Sequence, residues 1–327
     1  MSLVIFLKLV AIFAIVAIGY IADRARWLGE GDAARVLSNA AFYLFVPALL
    51  FRTTARIDLH TLPWRTLAAF FVPAIGCLLA VYLFGRRAPA TDAQGAQAAV
   101  PSVRALSATF GNTVQLGIPM ATALFGVEGL AVHLAIVSLH ALLLLTVATT
   151  LVELDLARAQ AVHRGGEHSL SATLRTTVRN TVIHPVVLPV LVSLLFNLAG
   201  LRIPALADET LLLLAQAVVP VCLVVIGMSL AHYGVRGALR GAAWMSAAKL
   251  LLLPALVLVA GHWGAGLIGM PLAVIVLCAA LPVGSNALLF AQRYQTLEHE
   301  ATAAIVISTF GFVVSAPLWL LVVGWIG

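Results

Sequence analysis

Apolar stretches, each about as long as a bilayer is thick, follow one another along this chain with only short polar segments between them. A helix rises ~1.5 Å per residue and a bilayer's hydrocarbon core is ~30 Å thick, so ~20 apolar residues cross it. Ten such stretches lie near residues 3–22, 33–55, 64–84, 103–125, 130–154, 182–199, 210–231, 242–262, 271–292 and 301–326. The sixth is short and begins with Pro185 and Pro189. Only 10% of the 327 residues are charged, against about 25% in an ordinary soluble domain. The pattern predicts an all-α polytopic membrane protein. The first stretch reads as a span and not a signal peptide, because it is long for an h-region and lacks a basic n-region.

The net charge of +6 would point to nucleic acid in a soluble protein. Here the basic residues sit in loops, so the expected partner is the lipid bilayer and not nucleic acid. With the N-terminus outside, thirteen arginines fall on the inner side: Arg24, Arg26, Arg35, Arg86, Arg87, Arg104, Arg158, Arg164, Arg175, Arg179, Arg236, Arg240 and Arg293. Four fall outside: Arg52, Arg56, Arg65 and Arg202. This bias predicts a cytoplasmic (inner) membrane protein with both termini outside. Cys77, Cys222 and Cys278 lie within apolar stretches and show neither metal-ligand spacing nor a disulfide framework. They read as buried thiols, and no cofactor is expected.

A polar segment, 155–181, divides the chain into 1–154 and 182–327. Five spans on each side mean that the second half enters the membrane from the opposite face. Two similar halves would then form inverted five-helix repeats. Proline placement agrees, with Pro47 and Pro220 in spans 2 and 7, and Pro73 and Pro254 in spans 3 and 8.

Spans 4 and 9 are interrupted. Span 4 carries Phe110-Gly111-Asn112-Thr113-Val114-Gln115-Leu116-Gly117-Ile118-Pro119, and span 9 carries Leu281-Pro282-Val283-Gly284-Ser285-Asn286. Hydrocarbon offers nothing to the backbone groups that such breaks free, so breaks survive only against protein or a water-filled cavity. Pro282 is eleven residues past Pro271, ~16 Å along a helix and close to the midplane. Asn112 lies at a similar depth. Paired midplane breaks are the sequence pointer to a transporter's binding site. Free N–H groups at half-helix starts attract anions, and free carbonyls at half-helix ends attract cations.

Candidate site residues are therefore Asn112, Thr113, Gln115, Pro119, Pro282, Ser285 and Asn286. The polar ones either contact substrate or only satisfy the broken backbone. Gly111, Gly117 and Gly284 read as backbone-shaping residues. His140, near the middle of span 5, is either a proton-sensitive site or a packed, hydrogen-bonded histidine. Lys249 in span 8 either snorkels to the interface or supplies positive potential to an anion. No Asp or Glu lies deep in a span, which weakens a carboxylate-based proton or sodium site. His133 reads as a weaker candidate near a span end. An intramembrane enzyme would need a nucleophile–base pair, for which Ser285 with His140 is the sole proposal, and no motif supports it. An ion or solute channel, and a membrane sensor on a transporter fold, would also be built from apolar spans like these.

Several motifs together resemble the auxin efflux carrier family. They are Gly19 with Arg24 and Arg26, Phe45-Val46-Pro47-Ala48-Leu49-Leu50-Phe51, Gly111-Asn112-Thr113 with Gly117-Ile118-Pro119, Phe125-Gly126, and Pro220 with Gly227-Met228-Ser229-Leu230. Lys249 with Pro254, Pro282 with Asn286 and Ala291, and Ser308-Thr309 extend the likeness over essentially the whole chain. The resemblance implies the ten-helix, two-repeat fold of plant PIN auxin carriers and, more distantly, of bile acid sodium symporters. Helices 1, 2, 6 and 7 would form a scaffold bundle and helices 3–5 and 8–10 a transport bundle, with substrate where helices 4 and 9 cross. It implies an elevator-type carrier of a small organic anion such as malonate or malate, or an auxin-like carboxylate, and a homodimer. Three departures stand out. The long cytoplasmic loop of many plant carriers is absent, span 6 begins His184-Pro185 where many relatives have Asn-Pro, and the second break matches the family pattern loosely.

Overall fold

The computed structural model describes residues 3–29, 33–56, 62–86, 97–163, 179, 183, 185, 187–233 and 239–326. The side chains of Lys8, Gln115, Pro119 and His232 lie outside what is described, as do His184 and residues 164–178 of the polar segment. Among the described residues the chain is helical throughout, with no strand beyond one isolated bridge.

In chain order the helices are α1 (Leu3–Arg24), α2 (Ala33–Ala55), α3 (Trp64–Gly85), α4 (Val100–Thr109), α5 (Ile118–His163), α6 (Val187–Leu198), α7 (Ala205–Tyr233), α8 (Leu239–Gly264), α9 (Gly269–Ala280), α10 (Asn286–Arg293) and α11 (Glu298–Ile326). Among the described residues six segments are long and apolar enough to cross a membrane, within α2, α3, α5, α7, α8 and α11. Spans 4 and 9 do not appear as single crossings, because each is built from short pieces. The first runs through α4, a π-helical turn at Thr113–Gly117 and the start of α5. The second is α9 followed by α10.

Gly126 breaks α5 sharply with φ 65° and ψ −156°, a backbone that a side chain disfavours. The portion after it continues to His163, eight residues past the expected start of the polar segment. Asp155 and Arg158 read as loop residues. Yet the sequence Leu-Ala-Arg-Ala-Gln-Ala-Val around them consists largely of good helix formers. Asp155 is also held by α3, whose Tyr82 hydroxyl donates to it at 2.9 Å.

Prolines shape the long helices. Pro254 removes a donor from α8 and frees the carbonyl of Leu250 four residues earlier. The indole of Trp319 on α11 donates to that carbonyl at 2.8 Å. The turn before Pro254 widens into a π-helix at Ala248–Leu252, and a similar π-turn at Ala41–Phe45 precedes Pro47 in α2.

Packing sorts the helices. α1 lies along α7, and α2 packs on α6 and α7. Separately, α3 packs on α4 and α8, while α9 packs on α5, α8 and α11. At one end, Arg35 meets Glu298 at 3.4 Å and Arg104 meets Glu300 at 3.2 Å. At the other, Arg52 and Arg56 reach Asp208 at 2.9 and 2.5 Å.

Candidate functional site

The two breaks meet. The carbonyl of Phe110 accepts the amide of Gly284 at 2.9 Å, and the amide of Asn112 donates to the carbonyl of Pro282 at 2.8 Å. Gly111 and Val283 thus form an antiparallel bridge between two interrupted helices. The local sequence explains the extended backbone on each side. Leu281 precedes a proline and takes ψ 147°, as pre-proline residues favour. Phe110 ends α4 at φ −78° and ψ 112°. The amide of Val283 donates to the hydroxyl of Ser308 on α11 at 3.0 Å.

Small residues make this approach possible. A Cβ on Gly284 would sit 2.8 Å from the Gly111 carbonyl oxygen and 2.9 Å from the Phe110 ring. A Cβ on Gly117 would fall 2.5 Å from Nε2 of His133. That His133 nitrogen lies 2.8 Å from the carbonyl of Thr113. Since a carbonyl only accepts, Nε2 carries the proton there.

Beside the crossing lies a cavity of about 70 Å³. Its walls come from both breaks (Phe110 to Val114 and Gly284 to Asn286), from α2, from α7 and from Val137, Ser138, His140 and Ala141 of α5. Asn112, Thr113, Ser285, Asn286 and His140 all line it, so five of the residues singled out from sequence share one chamber. Pro282 contributes its carbonyl to the bridge instead. Lys249 does not snorkel. It is 1% exposed, and its ammonium donates to the carbonyl of Ala279 behind the crossing. Gln115 stands in the π-turn Thr113–Gly117 and Pro119 in the first turn of α5.

His140 packs edge-on against Phe110 with ring centroids 4.5 Å apart. Its Nδ1 is buried and has no hydrogen-bond partner among the described residues. The helix ends sharpen the electrostatics. The wall at Thr113 and Val114 belongs to the start of one half-helix and that at Ser285 and Asn286 to the start of α10. Two positive helix ends therefore look into the chamber. Among the described residues no carboxylate lines it.

Sequence reasoning undervalued His133. It stands seven residues before His140, two helical turns apart on one face, and that spacing was the available signal. The three cysteines are free and buried. Among the described residues no group of three or more His, Cys, Asp or Glu could hold a metal ion.

A family model described as "Membrane transport protein" matches residues 4–320. The chain is 29% identical over 324 residues to "Uncharacterized transporter YfdV" of Escherichia coli (strain K12), covering 96% of each chain. The protein of the same name from Shigella flexneri is similar to the same degree. An "Uncharacterized transporter" of Methanothermobacter thermautotrophicus is 26% identical over 315 residues, covering 95% of this chain and 96% of the relative.

Proposed function

The chain belongs to the membrane transport protein family, that of the auxin efflux carriers, and from that premise we propose that it carries a small organic anion across the cytoplasmic membrane at the crossing of its two broken helices. The single observation that carries the reading is the shared chamber. Two half-helix starts and the side chains of Asn112, Asn286, Thr113, Ser285 and His140 line it, and among the described residues no acidic side chain opposes an anion there. A carboxylate has oxygens to accept from amide and hydroxyl donors, and the helix ends supply positive potential. The apolar walls at Val46, Leu49, Leu50, Val137, Val218 and Val219 suit the carbon skeleton. Small dicarboxylates such as malonate and malate, or an auxin-like monocarboxylate, are the substrate class.

The cavity of about 70 Å³ holds only a few waters. Its walls come from both packed groups of helices, α2 and α7 on one side and α4, α5 and α10 on the other. Relative movement of the two groups would enlarge it and expose it to each side in turn, which is alternating access of the elevator kind. Ten spans in two inverted repeats, with the arginine-rich end inside and both termini outside, give that movement a symmetric frame.

Uptake in proteoliposomes tests this reading. Purified protein should accumulate at least one radiolabelled acid among malonate, malate and indole-3-acetate above protein-free liposomes, saturably. No flux across a broad panel of organic anions, or single-channel conductance in planar bilayers, would overturn it.

A further inference from the structure

The helix ends at the crossing are treated differently. The N-terminal ends look into the cavity. The C-terminal end of α9 contributes nothing to the cavity wall, and its Ala279 carbonyl accepts the Lys249 ammonium. A Cβ at Gly111 would lie 3.3 Å from both Cε and Nζ of Lys249 and 3.6 Å from the carbonyl oxygen of Cys278. The ammonium and the Cys278 carbonyl, which also accepts the Leu281 amide at 3.4 Å, therefore crowd the same glycine, and Gly111 itself lines the cavity. One glycine separates the buried charge from the substrate chamber.

The π-turn Ala248–Leu252 holds Lys249 there, and such turns recur at functional sites. Among the described residues the ion pairs are made by arginines, and none places a carboxylate on Lys249. Its titratable neighbours are the Cys77 and Cys278 thiols, with His140 also within electrostatic reach. A buried ammonium without a carboxylate is costly. Carbonyl oxygens at a half-helix end are what a hard monovalent cation seeks.

We propose that the α9 carbonyls behind the crossing form a monovalent cation site, and that Lys249 fills it as a tethered cation in place of a bound alkali ion. Its role in flux rests on the anion reading above, while the site itself does not. The tethered charge keeps the potential at Gly111 positive, so anion binding needs no sodium. Removing the ammonium vacates the site for a free cation.

Thermal unfolding of the purified protein in choline, sodium and potassium chloride at equal ionic strength tests the site. Choline is too large to enter. The wild type should unfold at the same temperature in all three salts. Lys249→Ala should unfold at least about 3 °C higher in sodium or potassium than in choline. Lys249→Met, whose unbranched stem keeps most of the volume, should respond in the same direction. Salt-insensitive variants, an equal gain by the wild type, or variants unfolded in every salt would overturn the proposal. In proteoliposomes, Lys249→Ala should carry anion at least about tenfold more slowly in choline, with partial recovery in sodium. Because the first readout is unfolding, a wild type that carries no anion refutes the anion reading and leaves the cation site standing on its own test.

Discussion

The amide of Asn112 donates to the carbonyl of Pro282 at 2.8 Å, and Gly284 returns a bond to Phe110 at 2.9 Å. Residues from opposite halves of the chain thus satisfy each other's broken backbone. In an apolar setting an unpaired amide costs several kcal/mol, so neither break stands without its partner.

Gly284→Ala should loosen this crossing. The added Cβ meets backbone at 2.8 Å and the Phe110 ring at 2.9 Å, and neither can swing away freely. A loss of about 1–3 kcal/mol is expected, read as a lower unfolding temperature in detergent. Gly76→Ala, with open space around it, should change little. Equal effects would contradict the close approach.

His133 supports the crossing from behind. Replacing it with Phe keeps a ring but strips the donor from the Thr113 carbonyl, 2.8 Å away. An unsatisfied buried carbonyl costs about 1–3 kcal/mol. Thermal unfolding should show that loss, and substrate flux should slow because Thr113 lines the cavity. An unaltered His133→Phe variant would remove His133 from the site's support.

Tyr82→Phe tests the extension of α5 beyond the membrane-length portion. The phenol donates to Asp155 at 2.9 Å, and Arg86 and Arg158 stand 3.5 and 3.6 Å from the same carboxylate. Losing the phenol hydrogen bond should lower stability by about 1–2 kcal/mol with transport specificity unchanged. A shift in substrate preference would contradict a purely structural role.

His140→Ala should enlarge the chamber, since the ring forms part of its wall. The expected outcome in a competition assay is relatively stronger inhibition of uptake by bulkier carboxylates. If the order of inhibition by small and large acids stays the same, His140 does not set the size of the site.

Much of this was legible in the chain. Apolar stretches gave the helices because membrane helices depend on length and composition alone, and α2 begins and ends at the expected residues. Gly111, Asn112, Pro282 and Gly284 marked the breaks because hydrocarbon leaves few reasons for them. The direction of Lys249 was not legible. A lysine that snorkels and one bound to Ala279 read alike until the π-turn fixes where the side chain points. The end of α5 was hidden for a similar reason. Its charges look like loop residues unless Tyr82 and Arg86, on another helix, are known to meet them.

The central claim is that anions bind at the crossing, where Asn112 joins the two breaks through its backbone amide and also lines the cavity. The most direct measurement is initial uptake of the preferred acid into proteoliposomes by Asn112→Ala beside wild type, at equal incorporation and equal unfolding temperature. The account predicts a drop of about tenfold or more in uptake at low substrate. Uptake equal to wild type would contradict it.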